Sequence, residues 1–165
     1  METFYSPTLT TSLSNKHLLL DTNVFRDFAA KPSVFTKFFN ELKEADVTIA
    51  TIDLVKYEIL KGSASETKYQ EKSKLIADII DSTITPIPRT FEIIYELIQE
   101  YGIDGASLNV TDLFLGAILK QYKRNIFLMT RDTTDFIQSV FDLTGVVNVP
   151  LNKGIFTYGV YQYTK

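Results

Sequence analysis

Four short runs of mostly apolar residues, at positions 17–20, 47–50, 84–87 and 126–129, are separated by longer stretches whose apolar residues recur at helical spacing. This alternation limits the fold more than any other feature of the chain. A short apolar run with turn residues at its ends reads as a strand buried on both faces. Strands with a helix between them have room for crossover connections, and these set the strands parallel in one sheet. After Pro32, residues Val34, Phe35, Phe38, Phe39 and Leu42 make an apolar stripe, as one face of a helix requires. Helices are also predicted over residues 53–60, 67–81, 91–101 and 109–122, with Gly62 and Gly102 placed to end two of them. Residues 134–143 are predicted as a further helix, and 146–149 as the last parallel strand. The expected fold is an α/β domain with a parallel sheet flanked by helices.

The ends of the chain read differently. Residues 1–16 are rich in Ser and Thr and read as a flexible leader. Residues 17–150 form the expected domain, and residues 151–165 an extra C-terminal β segment packed on it. In that segment Asn152-Lys153-Gly154 marks a turn, and Phe156, Tyr158 and Val160 alternate, so they share one face of a strand. Packing of that face on the domain's own core is preferred to a partner surface. The length of 165 residues suits one domain. No apolar run approaches the ~20 residues of a membrane helix, and the start of the chain lacks a signal-peptide pattern. The cytoplasm is therefore the expected compartment.

Composition narrows the chemistry. The chain has no cysteine and one histidine, His17, which leaves metal ligation and proton transfer mainly to carboxylates. It also excludes disulfides, thiolate sites and a two-histidine nuclease mechanism. The formal net charge of −3 means that any nucleic-acid binding must use local basic patches. In open parallel sheets, ligands bind beyond the C-terminal ends of the strands. Asp21 ends the first predicted strand, Asp132 and Asp135 follow the fourth, Asp112 opens the helix leading to it, and Glu58 lies on the helix after the second. Each has a plain alternative: a turn residue at Asp21, a capping box of Asn109 with Asp112, a helix cap at Asp132 and Asp135, a solvated face at Glu58. Their joint placement at one edge favours a cluster, since gathered carboxylates repel and a hard divalent cation relieves the repulsion.

Four segments carry a family resemblance. Leu18-Leu19-Leu20-Asp21-Thr22-Asn23 resembles the opening motif of PIN domains, the family that includes the VapC-type toxins of toxin–antitoxin pairs. Leu54-Val55-Lys56-Tyr57-Glu58-Ile59 is similar to that family's acid-bearing helix. Thr111-Asp112-Leu113-Phe114 and Thr130-Arg131-Asp132-Thr133-Thr134-Asp135-Phe136 match its later motifs, in order. The resemblance implies a Rossmann-like sheet, Mg²⁺ or Mn²⁺, and hydrolysis of RNA to 5′-phosphate and 3′-hydroxyl ends. It assigns catalysis and metal ligation to Asp21, Glu58, Asp112 and Asp132, with Asp135 as a further ligand. Asn23 and Thr130 become supporting residues, and Arg26, Lys56, Lys61 and Arg131 candidate substrate contacts. The implied partners are RNA, a cognate antitoxin protein and a second copy of the chain.

Three other readings compete. A haloacid-dehalogenase-like phosphatase would need a second Asp two positions after Asp21, where this chain has Asn23. A catalytically inactive PIN-fold scaffold for protein or RNA would tolerate loss of some acids, yet the set is full. In a plain α/β domain the acids would only cap elements, and no divalent ion would bind.

Overall fold

The computed structural model describes residues 2–165; Met1, part of the expected leader, lies outside the described residues. Strand β1 (Phe4–Tyr5) and helix α1 (Pro7–Leu13) precede β2 (His17–Leu20) and α2 (Thr22–Ala30). Then come α3 (Thr36–Glu44), β3 (Thr48–Ile52), α4 (Asp53–Leu60), α5 (Glu66–Ile79) and β4 (Ser82–Ile84). The chain continues through α6 (Pro88–Tyr101), α7 (Val110–Tyr122), β5 (Ile126–Thr130), β6 (Asp142–Leu151) and β7 (Gly154–Gln162).

The seven strands form one mixed sheet in the order β1-β6-β7-β5-β2-β3-β4. The stretch β5-β2-β3-β4 is parallel throughout, as the alternation of runs and helices requires. Every residue of β5 is buried, as are Leu18 to Leu20 of β2 and Ile49 to Ile52 of β3. Burial of successive residues, which point to opposite faces, means that both faces of this part are covered. From β2 the chain builds outward to β4, then returns through α6 and α7 to β5 on the other side of β2. The order therefore reverses between β2 and β5, the kind of switch point where open α/β sheets bind ligands. The return is tightly packed: a Cβ added at Gly116 of α7 would lie 2.8 Å from the Leu97 side chain of α6.

Four expectations change. The strand expected at 84–87 runs instead over Ser82–Ile84, and Pro88 opens α6. The leader is not loose: β1 pairs with β6, and Leu9 and Leu13 of α1 are buried in the core. Its Ser and Thr content reflects a helix whose first turn is capped by Ser6 and whose exposed face is polar. Residues 134–143 do not form a helix. Phe136, Val140 and Phe141 have helix-like spacing but are buried by tertiary contacts, Phe136 lying 5.6 Å from Phe141 and 5.8 Å from Tyr161 between ring centroids. The Tyr101 hydroxyl takes the Asp135 carbonyl at 2.5 Å, an acceptor that a helix would use internally. Finally, residues 146–149 belong to β6, which pairs antiparallel with both its neighbours. β6 points the same way as β5, but β7 is inserted between them and pairs antiparallel with each. The short Asn152-Lys153 link makes a hairpin, because a parallel pair would need a crossover of a dozen or more residues.

The C-terminal segment is therefore an interior strand. Tyr158 and Val160 are buried and Phe156 half-buried, and the ring of Tyr158 packs 6.4 Å from that of Phe35. Among the described residues no helix is long and apolar enough to cross a membrane.

Truncation after Val149 removes the strand between β5 and β6, so cooperative thermal unfolding is expected to disappear. Leu13, fully buried on α1, tests the other end: Leu13→Ala is expected to cost about 2–5 kcal/mol in denaturant unfolding. A cost near zero would show that the N-terminal segment is not part of the core.

Candidate functional site

The register of β2 against β5 pairs Leu20 with Met129, so the two chains leave the sheet side by side. Asp21 follows β2 as the N-cap of α2, with its Oδ1 accepting from the Thr22 N–H at 2.6 Å. Its Oδ2 accepts from the Thr130 hydroxyl at 2.7 Å and from the Asn23 amide at 3.0 Å. The Asn23 carbonyl in turn accepts from the Arg131 N–H at 3.1 Å. Thr130 Oγ1 accepts from the Asp132 N–H at 3.0 Å. The two expected supporting residues thus hold Asp21 and the turn bearing Asp132 in one network.

Glu58 reaches the same edge from α4. One of its oxygens accepts from the Thr22 hydroxyl at 2.5 Å, the other from the Thr111 hydroxyl at 2.7 Å. Asp112 lies in the first turn of α7, whose N-cap Asn109 accepts from the Asp112 N–H at 2.9 Å. The capping reading of Asn109 is correct, but it concerns the backbone of Asp112. The side chain is buried, and its Oδ2 has no hydrogen-bond partner. A buried, unpartnered carboxylate oxygen is costly unless it is protonated or meets a cation.

The electrostatics agree. Burial, then the charges of Asp21 and Asp135, push the Asp112 carboxyl up to about 7. Burial raises Asp21 despite its hydrogen bonds from Thr130 and Thr22, and the charges of Glu58 and Asp132 act in the same direction. Asp135 is also raised, by burial and by neighbouring Asp132. Asp21 therefore lies within electrostatic reach of each of the other four acids, and Asp135 of Asp112 and Asp132 as well. The five do not form a closed cage: among the described residues no three His, Cys, Asp or Glu side chains converge on one point as metal ligands. Carboxylates without a countercharge spread apart, and here Thr22 and Thr111 occupy both oxygens of Glu58. The donor set still suits a hard cation, being all oxygen, and the free Oδ2 of Asp112 is the atom best placed to become a ligand.

The candidate cations separate. Arg26 is exposed on α2, and Lys56 lies 3.9 Å from Asp53. Arg131 borders the acid edge directly. Its Nη1 pairs with Asp27 Oδ2 at 3.1 Å, and its guanidinium lies 4.5 Å from the Phe156 ring centroid. The sequence reading overlooked Thr22 and Thr111, which hold Glu58, and Asp27, which holds Arg131. Asp27 did leave a signal, an acid on the apolar face of α2 beside Val24, Phe25 and Phe28.

A PIN domain family model matches residues 18–138. No curated protein matches the chain. Among solved structures, the chain has a partial likeness to VapBC2 from Rickettsia felis, bound to a DNA fragment from the promoter. It is 20% identical, covers 61% of this chain and 78% of its own, and has a TM-score of 0.48.

The raised carboxyls set the sign of a pH dependence. A carboxyl that binds its proton more tightly folded than unfolded penalises the fold when ionised, so stability is gained as pH falls through the folded value, about 7 for Asp112. Without divalent ions, the melting temperature is expected to rise between about pH 8 and pH 5, each tenfold difference in proton affinity being worth about 1.4 kcal/mol. Asp112→Asn should stabilise the protein at the alkaline end and flatten the slope. A melting temperature that falls over this acid shift would contradict the burial of ionised acids at this edge.

Proposed function

Because the chain belongs to the PIN domain family, whose members are generally nucleases, we propose that it is a divalent-metal-dependent endoribonuclease. The observation that carries the reading is the buried, unpartnered Oδ2 of Asp112, within electrostatic reach of the Asp21 carboxylate at the end of β2. Asp21, Glu58, Asp112 and Asp132 would hold Mg²⁺ or Mn²⁺, with Asp135 as a further ligand. Bound there, a divalent cation supplies Lewis-acid polarisation of the phosphate and of an attacking water.

The chain's own residues perform the positioning. Thr130 and Asn23 fix one oxygen of Asp21 and the Thr22 N–H the other, so its orientation is set before substrate arrives. Thr22 and Thr111 do the same for Glu58. Proton exchange falls to carboxyls, because His17 begins β2 while Asp21 follows its other end, about 13 Å away along the strand. Burial and the charges of Asp21 and Asp135 raise the Asp112 carboxyl to about 7, so a cation bound there would displace its proton. Attack by water, rather than by the ribose hydroxyl, leaves a 5′-phosphate and a 3′-hydroxyl.

A narrower form of the reading makes the protein the toxin of a toxin–antitoxin pair, with a small antitoxin as partner. Its support is that the four ordered motifs resemble those of PIN domains, the family that includes the VapC-type toxins. A second reading, an inactive scaffold for protein or RNA, is favoured by the open spread of the acids. Cleavage assays with Mn²⁺ binding measured in parallel separate the two.

Purified protein with Mg²⁺ or Mn²⁺ is expected to cut total cellular RNA, a tRNA pool or ribosomal RNA, and EDTA to stop it. Asp21→Asn is expected to abolish cutting with an unchanged circular dichroism spectrum. Thr130→Val, which loosens Asp21, should cost about 10–100-fold. Products should ligate without kinase treatment. A 2′,3′-cyclic phosphate would overturn the mechanism, and Mn²⁺ binding without cleavage of any of these RNAs would establish the scaffold.

A further inference from the structure

The β6–β7 hairpin outruns the parallel part of the sheet. β5 ends at Thr130, opposite Gly159, whereas β6 and β7 stay paired from Val147 and Tyr158 to Leu151 and Gly154. Those five further residues carry the hairpin tip about 17 Å past the edge where the acids gather. Between the tip and the C-terminal end of α2 lies a cavity of about 350 Å³, lined chiefly by Asp27, Arg131, Leu151, Asn152, Lys153 and Phe156. That is within the ~300–1,000 Å³ range of small-molecule sites.

The cavity is joined to the acid edge through one residue. The backbone N–H of Arg131 is bonded to Asn23, which also holds Asp21, while its guanidinium forms part of the cavity wall. Asp27 is occupied in fixing that guanidinium and accepting the Tyr158 hydroxyl. The guanidinium lies over the Phe156 ring, giving a flat cationic and aromatic stack. Lys153, exposed at the tip, has no carboxylate at ion-pair distance among the described residues.

We propose that this cavity is a nucleotide subsite, holding an RNA residue beyond those that flank the bond cut at the acid edge. The proposal rests on the ribonuclease reading above. An unstacked base lies against the Arg131–Phe156 stack, since guanidinium planes and aromatic rings are the usual platforms for single-stranded bases. Its phosphate meets the Lys153 ammonium, and Asn152 offers an amide to the base edge. An acidic peptide would satisfy Lys153 but would leave the flat stack unused.

Fluorescence anisotropy with a short labelled single-stranded RNA of random sequence measures binding apart from cleavage, with Ca²⁺ in place of Mg²⁺. Lys153→Ala is expected to weaken binding and to lower the salt slope by about 0.7, while Lys153→Arg retains it. Phe156→Leu keeps apolar volume but removes the ring, and should weaken binding about fivefold or more. Mn²⁺ affinity, measured by calorimetry, should be the same in all three variants. If the wild type binds and cuts RNA while Lys153→Ala and Phe156→Leu bind it as tightly, the subsite is wrong and the ribonuclease reading stands. If the wild type binds no RNA, both fall. Loss of affinity for an acidic peptide, with RNA affinity intact, would make the cavity a protein site and overturn the proposal.

Discussion

Leu20 of β2 stands opposite Met129 of β5 in parallel register, and the next residue of each strand is where the fold becomes a site. Asp21 and Thr130 emerge together, and the Thr130 hydroxyl donates to Asp21 at 2.7 Å. A slip of one residue in this pairing would turn each side chain of β5 to the other face. Thr130 would leave Asp21, Asn23 would lose the Arg131 N–H, and the turn carrying Asp132 would lose its anchor. Leu18 to Leu20 and residues 126–129 bury the pair on both faces, and Thr130, the polar residue at its end, meets Asp21 in this register.

Around this point the molecule tolerates an unfavourable arrangement. Asp21 and Asp112 are both buried, and both carboxyls are pushed toward the protonated form. Threonines moderate the cost. Thr22, Thr111 and Thr130 direct hydroxyls at Glu58 and Asp21, supplying hydrogen bonds that water would otherwise give. Among the described residues Asp112 keeps the one buried carboxylate oxygen without a partner. The surrounding core, packed from both faces of the sheet, keeps the acids at one edge although they do not converge on one point.

The two ends of the chain support the same edge. α1 lies across β6, where a Cβ at Gly145 would come within 2.8 Å of Leu9. β1 pairs with the outer side of β6. The antiparallel half of the sheet is thereby closed off, and its hairpin is held at a fixed height beside the acids. Tyr158 links the two halves, since its hydroxyl donates to Asp27, the residue that fixes Arg131 next to the acid edge.

Local pattern was sufficient for the parallel strands β2, β3 and β5, for the helices over residues 53–60 and 109–122, and for placing acids at strand ends. Each rests on interactions within a few residues: apolar continuity, helical spacing, a cap such as Asn109. The same pattern failed at residues 134–143. There Phe136, Val140 and Phe141 mimic a helix stripe, but their burial is supplied by Tyr101 and Tyr161 from distant parts of the chain. It failed again at residues 1–16, where two buried leucines among many hydroxyls looked like a loose leader. By itself the sequence determined the acids, the parallel strands β2, β3 and β5 and the helices that carry an apolar stripe or a cap, because those properties are local. Only the tertiary structure decided that β7 lies between β5 and β6, that Asp112 Oδ2 is left alone, and that Asp27 turns inward to Arg131. These depend on which surfaces meet, and that is settled by burying apolar area between segments far beyond the reach of one helix or strand.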